Sequence, residues 1–197
     1  MQILGVSGSP RKNSNSDAIV LNVLKGARQE GAGTQIIRLR ELEFSPCTGC
    51  EACHDKDYCP TLNDDMRHVL ERVKQCKGLV TCSPTHNFNC SALMKAFIDR
   101  LNPIWKYSDT TPRTYTSMLA GHGRAAVAAA VAGQSTESGM GYALECTRRP
   151  LAELGYEIVQ SLPVLGFYEA GAAGRSDEIV KKCLEAGRKL ARALSGE

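Results

Sequence analysis

The chain alternates between short unbroken apolar runs and longer stretches in which apolar residues recur every three or four positions. These are the patterns of buried strands and one-sided helices. Residues 3–7 form the first apolar run and predict a buried strand that ends in a polar turn. From about Ser16, the residues Ile19, Val20, Val23, Leu24 and Ala27 fall on one helical face, and Gly31 and Gly33 close the helix. Residues 34–39, rich in β-branched side chains, predict a second strand. Asp64 or Asp65 is placed to cap a helix carrying Met66, Val69, Leu70 and Val73 at helical spacing. Residues 79–82 follow Gly78 as a third strand. Ser91 then caps a helix bearing Leu93, Met94, Phe97, Ile98 and Leu101, which stops before Pro103.

Residues 103–118 are polar and irregular, and predict a long loop of the kind that often carries function. The segment RAAVAAAVAG, residues 124–133, has alanine's preference for helix, but its place in the alternation predicts a fourth strand. A helix near 139–154 contains Pro150, which is expected to kink or restart it. Residues 157–165 predict a fifth strand interrupted by Pro163. Ser176 caps the last helix, with Asp177 and Glu178 in its first turn and Ile179, Val180, Cys183, Leu184, Leu190 and Leu194 turned inward. No repeat, low-complexity tract or linker interrupts the series, so a single domain is expected over residues 1–197. Five strands alternating with helices through right-handed crossovers give an α/β fold, a doubly wound five-stranded parallel sheet. In the order 2-1-3-4-5, a ligand crevice lies at the carboxyl ends of strands 1 and 3, and the distinctive loops all leave from that edge.

Charge narrows the partners. With 24 basic and 21 acidic residues and a net charge of +3, no strong field points at nucleic acid or membrane. No apolar run approaches the about 18 residues of a membrane span. The first residues lack a basic stretch followed by a long apolar one, so a cytoplasmic location is expected.

Cysteine is the anomaly: nine residues, an odd number, in a chain too large to need stapling. Cys47, Cys50, Cys53 and Cys59 crowd into a loop at about 46–60, SPCTGCEACHDKDYCP. In a reducing compartment such a cluster points to metal or redox chemistry rather than to disulfides. Three cysteines two residues apart can wrap one face of a cubane cluster, with the fourth reached after a short excursion, and Gly49 lets the backbone approach. Zinc is the competing metal, but structural zinc sites usually separate two knuckles by a dozen or more residues, and that spacing is missing here. Cys76, Cys82, Cys146 and Cys183 are expected to be small core residues. Cys90 lies beside the predicted crevice, where a redox role stays open.

Strand 1 runs into GSPRKNSNS at the start of a helix. A helix N-terminus offers unpaired N–H groups and the positive end of a dipole, which suits phosphate. Ser9, Ser14 and Ser16 add hydroxyls, Asn15 an amide and Arg11 a planar fork of donors. Neither G-x-x-x-x-G-K-[ST] nor G-x-G-x-x-G is present, which leaves a terminal monophosphate, as in FMN, or an ordinary hydrophilic turn. After strand 3, residues 83–91 could lay amides and a flat side chain along an isoalloxazine ring, and Gly133 could reach its far edge.

The loops GSPRKNSNSD and SPTHNFNCSALMKAFIDRL resemble the FMN-binding segments of NAD(P)H-dependent FMN reductases. With CTGCEACHDKDYCP between them, followed by DDM, the chain is similar to the iron–sulfur flavoproteins, closely over residues 1–102 and in outline beyond. The resemblance implies a flavodoxin-like fold, FMN, a [4Fe–4S] cluster, and assembly as a homodimer or dimer of dimers. It implies phosphate contacts at Ser9, Arg11, Ser14, Asn15 and Ser16. Ring contacts follow at Pro84, Thr85, His86, Asn87, Phe88 and Gly133, and cluster ligation at Cys47, Cys50, Cys53 and Cys59. His86 stands where an aromatic such as tyrosine is usual, and Asn89-Cys90 replaces smaller residues.

The expected function is an FMN-dependent oxidoreductase passing electrons between FMN and the cluster, with NAD(P)H or ferredoxin as donor. No residue stands out as a catalytic acid or base. The cysteine loop follows strand 2 while the ring leans toward strands 3 and 4, so transfer is expected to cross a subunit interface. Two alternatives stay open: a cluster-free NAD(P)H-dependent FMN or quinone reductase with a merely structural cysteine loop, and a non-catalytic redox-sensing or metal-binding module.

Overall fold

The computed structural model describes residues 1–196. In chain order it runs through β1 (Gln2–Ser7), α1 (Asn15–Gln29), β2 (Gly33–Arg38), α2 (Met66–Gln75), β3 (Gly78–His86), β4 (Asn89–Cys90) and α3 (Ala92–Asp99). There follow β5 (Trp105–Tyr107), β6 (Tyr115–Ser117), β7 (Arg124–Val131), α4 (Glu137–Met140), α5 (Ala143–Glu153), β8 (Tyr156–Val164) and α6 (Asp177–Ser195). The main sheet is parallel in the order β2-β1-β3-β7-β8, as the alternation predicts, with β4 folded back antiparallel on the end of β3.

Successive side chains of each central strand enter opposite layers, which is why these strands are apolar without a break. Ile3, Val80 and Val127 pack with Val20 and Leu190 under α1 and α6. Leu4, Leu79 and Ala126 pack with Leu70, Phe97 and Leu151 under α2, α3 and α5. The alanines of β7 lie between β3 and β8 with both faces covered, and burial overrides their helix preference. On the first face α1 and α6 touch backbone to backbone: a Cβ on Gly26 would strike the Leu184 carbonyl, and one on Gly187 that of Val23. Glycine is obligatory at that crossing.

Three departures from the sequence pattern have local causes. The expected loop at 103–118 contains the hairpin β5–β6, held by aromatic residues at 105, 107 and 115, with Trp105 and Tyr115 edge to face at 5.1 Å. Pro150 sits inside α5 and does not restart it; the break comes earlier, at Gly141, whose φ is +59°. Pro163 lies within β8, an edge strand, where a missing N–H can face the open side. No helix among the described residues is long and apolar enough to cross a membrane.

Candidate functional site

A cavity of about 110 Å³ opens at the carboxyl ends of β1, β3 and β7. Ser9, Arg11, Ser14, Asn15, Ser16, Pro84, Thr85, His86 and Gly133 all line it, together with Val131, Phe167, Tyr168 and Ala170. The helix start that forms its floor is set by a reciprocal cap. The Asp17 N–H donates to Ser14 Oγ at 3.1 Å, and the Ser14 N–H donates back to Asp17 Oδ2 at 3.2 Å. Ser7 Oγ (2.6 Å) and Arg40 Nη1 (3.0 Å) also donate to Asp17. Burial alone would raise this carboxyl's pKa, but Arg40, Ser7 and the Ser14 amide outweigh it and hold Asp17 below the usual range.

The cradle keeps unspent donors. The Ser16 hydroxyl and the Thr85 hydroxyl are buried without a hydrogen-bond partner, a costly arrangement unless a ligand oxygen completes it. The N–H groups of Asn15 and Ser16 open α1, where no intrahelical acceptor exists and the helix dipole is positive. These features fit a phosphate monoester.

The Asn15 side chain works differently from the sequence expectation. Its amide donates to the carbonyls of Phe167 (3.0 Å) and Glu169 (2.9 Å) and accepts from the Ala173 N–H (2.9 Å), so it is spent on clamping the β8–α6 loop. That loop supplies Phe167 and Tyr168, which no motif in the sequence singles out. An aromatic pair just beyond the fifth strand, on the same edge as the other loops, was the available signal. Arg11 reaches across to the Tyr168 carbonyl at 3.4 Å and lies 5.5 Å from the centroid of its ring.

Asn87 and Phe88 do not line the cavity. Both have positive φ, 47° and 61°, and turn the β3–β4 connection outward, leaving Phe88 63% exposed at the rim. The turn is pinned from below: Tyr142 N–H donates to the Phe88 carbonyl at 2.7 Å. Cys146 packs against the core as expected but is only partly buried, and its sulfur lies 2.8 Å from Cys90 Sγ.

Cys47, Cys50, Cys53 and Cys59 surround a second, small cavity of about 20 Å³ with Thr61 and Asn102. Gly49 (φ +68°) and Glu51 (φ +58°) bend the chain between them. Polar groups already address the sulfurs: Gly49 N–H to Cys47 (3.5 Å), Asn102 Nδ2 to Cys53 (3.3 Å), and the Thr61 hydroxyl near Cys50 (3.5 Å) and Cys59 (3.4 Å). The Thr61 contact leads the causes that lower Cys50 to about 7. Burial opposes the fall at Cys59, where Thr61, neighbouring amides and the charge of Arg100 prevail, while burial keeps Cys53 raised. Among the described residues no three His, Cys, Asp or Glu side chains close on a point that would seat a single ion.

Arg100, 4% exposed, ties this loop to the fold. It forks onto Asp64 at 2.6 and 2.8 Å and donates to the Ser45 carbonyl at 2.7 Å, while Asp64 also accepts from the Ser45 N–H at 3.0 Å. Asp65, which precedes α2 without a side-chain cap, instead accepts from the Glu43 N–H at 2.8 Å. The two aspartates thus act as staples for the segment entering the cysteine loop. Arg100 gave no local signal in the sequence because its partners are distant in the chain.

The family profile of NADPH-dependent FMN reductase matches residues 1–165. The chain belongs to the NADPH-dependent FMN reductase family. The matched span holds the β1–α1 loop and the cysteine loop, while Phe167, Tyr168 and Ala170 of the first cavity lie beyond it. An iron-sulfur flavoprotein of Methanocaldococcus jannaschii is 35% identical over 104 residues, 53% of this chain and 53% of that protein. One from Methanosarcina thermophila is 36% identical over 100 residues, 51% and 52% of the two chains. The chain therefore spans about half the length of the curated relatives it matches. Among solved structures, an NAD(P)H:quinone oxidoreductase from Methanothermobacter marburgensis superposes with a TM-score of 0.72 over 96% of each chain at 18% identity. An archaeal flavodoxin gives 0.62 over 99% of each chain at 15% identity. These likenesses show a flavodoxin-like fold.

Proposed function

We propose that this protein is an FMN-dependent oxidoreductase that exchanges electrons between FMN and a [4Fe–4S] cluster. One observation carries this reading: a cradle with orphaned hydroxyls at Ser16 and Thr85 stands in the same chain as four cysteines converging on one cavity. A flavin accepts or gives a hydride and releases electrons singly, whereas a cubane moves one electron at a time, so the pair converts electron number.

The roles of the residues follow from their placement. Ser9, Ser14, Ser16, Thr85 and the opening N–H groups of α1 hold the phosphate, with Arg11 over the mouth. Pro84, His86 and Gly133 line the ring side, and Asn87 and Phe88 form its outer rim. Cys47, Cys50, Cys53 and Cys59 ligate the cluster, and the Gly49, Asn102 and Thr61 donors stabilise the thiolate charge. The spacing C-x2-C-x2-C-x5-C, without the dozen or more residues that separate two zinc knuckles, favours a cluster over a single zinc ion. NAD(P)H or ferredoxin is the proposed donor, a homodimer or dimer of dimers the proposed assembly, and the cytoplasm, which keeps nine thiols reduced, the proposed location.

The Cys47→Ser/Cys50→Ser double variant separates this from a cluster-free reductase. The proposal expects the variant to bind FMN and accept electrons from the donor, while turnover with a one-electron acceptor falls well below that of the unmutated protein. Unchanged turnover in the variant would show the loop to be structural only.

A further inference from the structure

Outside the flavin cradle and the cysteine loop, one pair of side chains stands in a relation that neither site uses. The sulfurs of Cys90, on β4, and Cys146, on α5, are 2.8 Å apart, longer than a bond and shorter than an ordinary contact between two sulfurs. Ordered backbone holds both. Cys90 is paired with Thr85 in the β3–β4 ladder, and its N–H donates to Asn89 Oδ1 at 2.8 Å. On the other side, α5 is tied to the same turn through the Tyr142–Phe88 hydrogen bond.

The two thiols are not equivalent. Cys90 is 7% exposed. Cys146 opens onto a cavity of about 580 Å³ lined by Lys95, Trp105, Tyr107, Tyr142 and Arg149, large enough for a small organic molecule. The Cys90 hydrogen bond and the positive charge of Lys95 favour the thiolate at Cys146, against the cost of its burial, while sharing its proton with Cys146 and burial both keep Cys90 a thiol. Cys76, Cys82 and Cys183 are pushed up by burial and have no such opening.

We propose that Cys90 and Cys146 form a dithiol–disulfide centre that exchanges with low-molecular-weight disulfides entering through this aromatic cavity. The Cys146 thiolate attacks one sulfur of the small disulfide; its sulfur–sulfur bond breaks, and one small thiol leaves with the proton that Cys146 gave up. The Cys90 thiol then loses its proton, and its sulfur attacks Cys146 Sγ. The internal disulfide forms and the second small thiol departs with that proton. Two electrons pass from the protein dithiol to the small disulfide, and two small thiols are released for each bridge. The bridge would fasten the turn that carries Asn87 and Phe88 to α5. This proposal goes beyond the flavin–cluster function and does not depend on it.

The test uses the FMN-loaded protein, purified under anaerobic conditions, incubated with oxidised glutathione, blocked with N-ethylmaleimide and digested without reduction. The expected product joins the peptides of residues 78–95 and 125–148, carries one N-ethylmaleimide on Cys82, and is two hydrogens lighter than the sum of the two peptides with that adduct. Fragmentation places the bridge at Cys90, not Cys82, and excess reduced dithiothreitol reverses it. The Cys90→Ser variant is expected to trap glutathione on Cys146. The proposal is overturned if, in the unmutated protein, Cys146 keeps glutathione, both thiols stay free, or the bridge runs to Cys82.

Discussion

At the scale of single residues, the cradle makes the sharpest claim. Ser16 Oγ is a buried group without a partner, so it costs stability in the empty protein and repays it only against a ligand oxygen. Ser16→Ala is therefore expected to weaken FMN binding by about 1 kcal/mol, roughly a fivefold rise in Kd. The Tm of the flavin-free variant should match or exceed that of the unmutated protein. Flavin fluorescence titration and a thermal melt read the two effects separately; a loss of Tm without a change in Kd would make Ser16 structural. Residue identity was the most readable layer of the sequence, since serines at a helix start and clustered cysteines carry their chemistry with them. Asn15 shows the limit. Its type and position suited phosphate, but its amide is consumed by carbonyls more than 150 residues away, at separations of 152 and 154, which no local pattern reveals.

Elements bring the next set of constraints. Arg100, at the end of α3, and Asp64, before α2, form a partly buried pair that holds the segment entering the cysteine loop. Arg100→Met leaves Asp64 without its counter-charge, and a loss of about 3 kcal/mol in urea unfolding is expected, along with a looser grip on iron.

Asp64 and Asp17 both titrate below the free value of 3.8, in spite of burial, because Arg100 and Arg40 donate to them. A lowered folded pKa contributes stability that is complete above the unfolded value and is lost as pH falls through the folded one. Unfolding free energy should then drop as the pH goes below 3.8, and Asp64→Asn should be less stable at neutral pH with a shallower acid limb. Urea titrations down to about pH 3 check the sign. At the α1–α6 crossing, Gly187→Ala has nowhere to put a methyl group, and a cost of about 1–3 kcal/mol is expected. Caps, periodicity and strand order were readable here because each is local or follows from alternation. The β5–β6 hairpin was not, because three scattered aromatics in a polar stretch give no period and pair only across the turn.

For the whole molecule, the parallel sheet decides what can meet. Loops leaving β1, β3, β7 and β8 share the cradle, and the loop after β2 is free to form a separate cysteine cavity anchored on α3. The alanine-rich β7 is legible from its place in the order alone, since a strand covered on both faces needs small apolar residues rather than strand propensity. The cavity's mouth was less readable: positive φ at Asn87 and Phe88 swings both outward, and an exposed Tyr168 from the far end of the chain completes the wall. The most direct measurement is iron, acid-labile sulfide and FMN on one preparation kept free of oxygen. About four irons, four sulfides and one FMN per chain are predicted, with iron lost and FMN retained when any of Cys47, Cys50, Cys53 or Cys59 becomes serine. Zinc or no metal in a flavin-loaded, fully active protein would contradict the account.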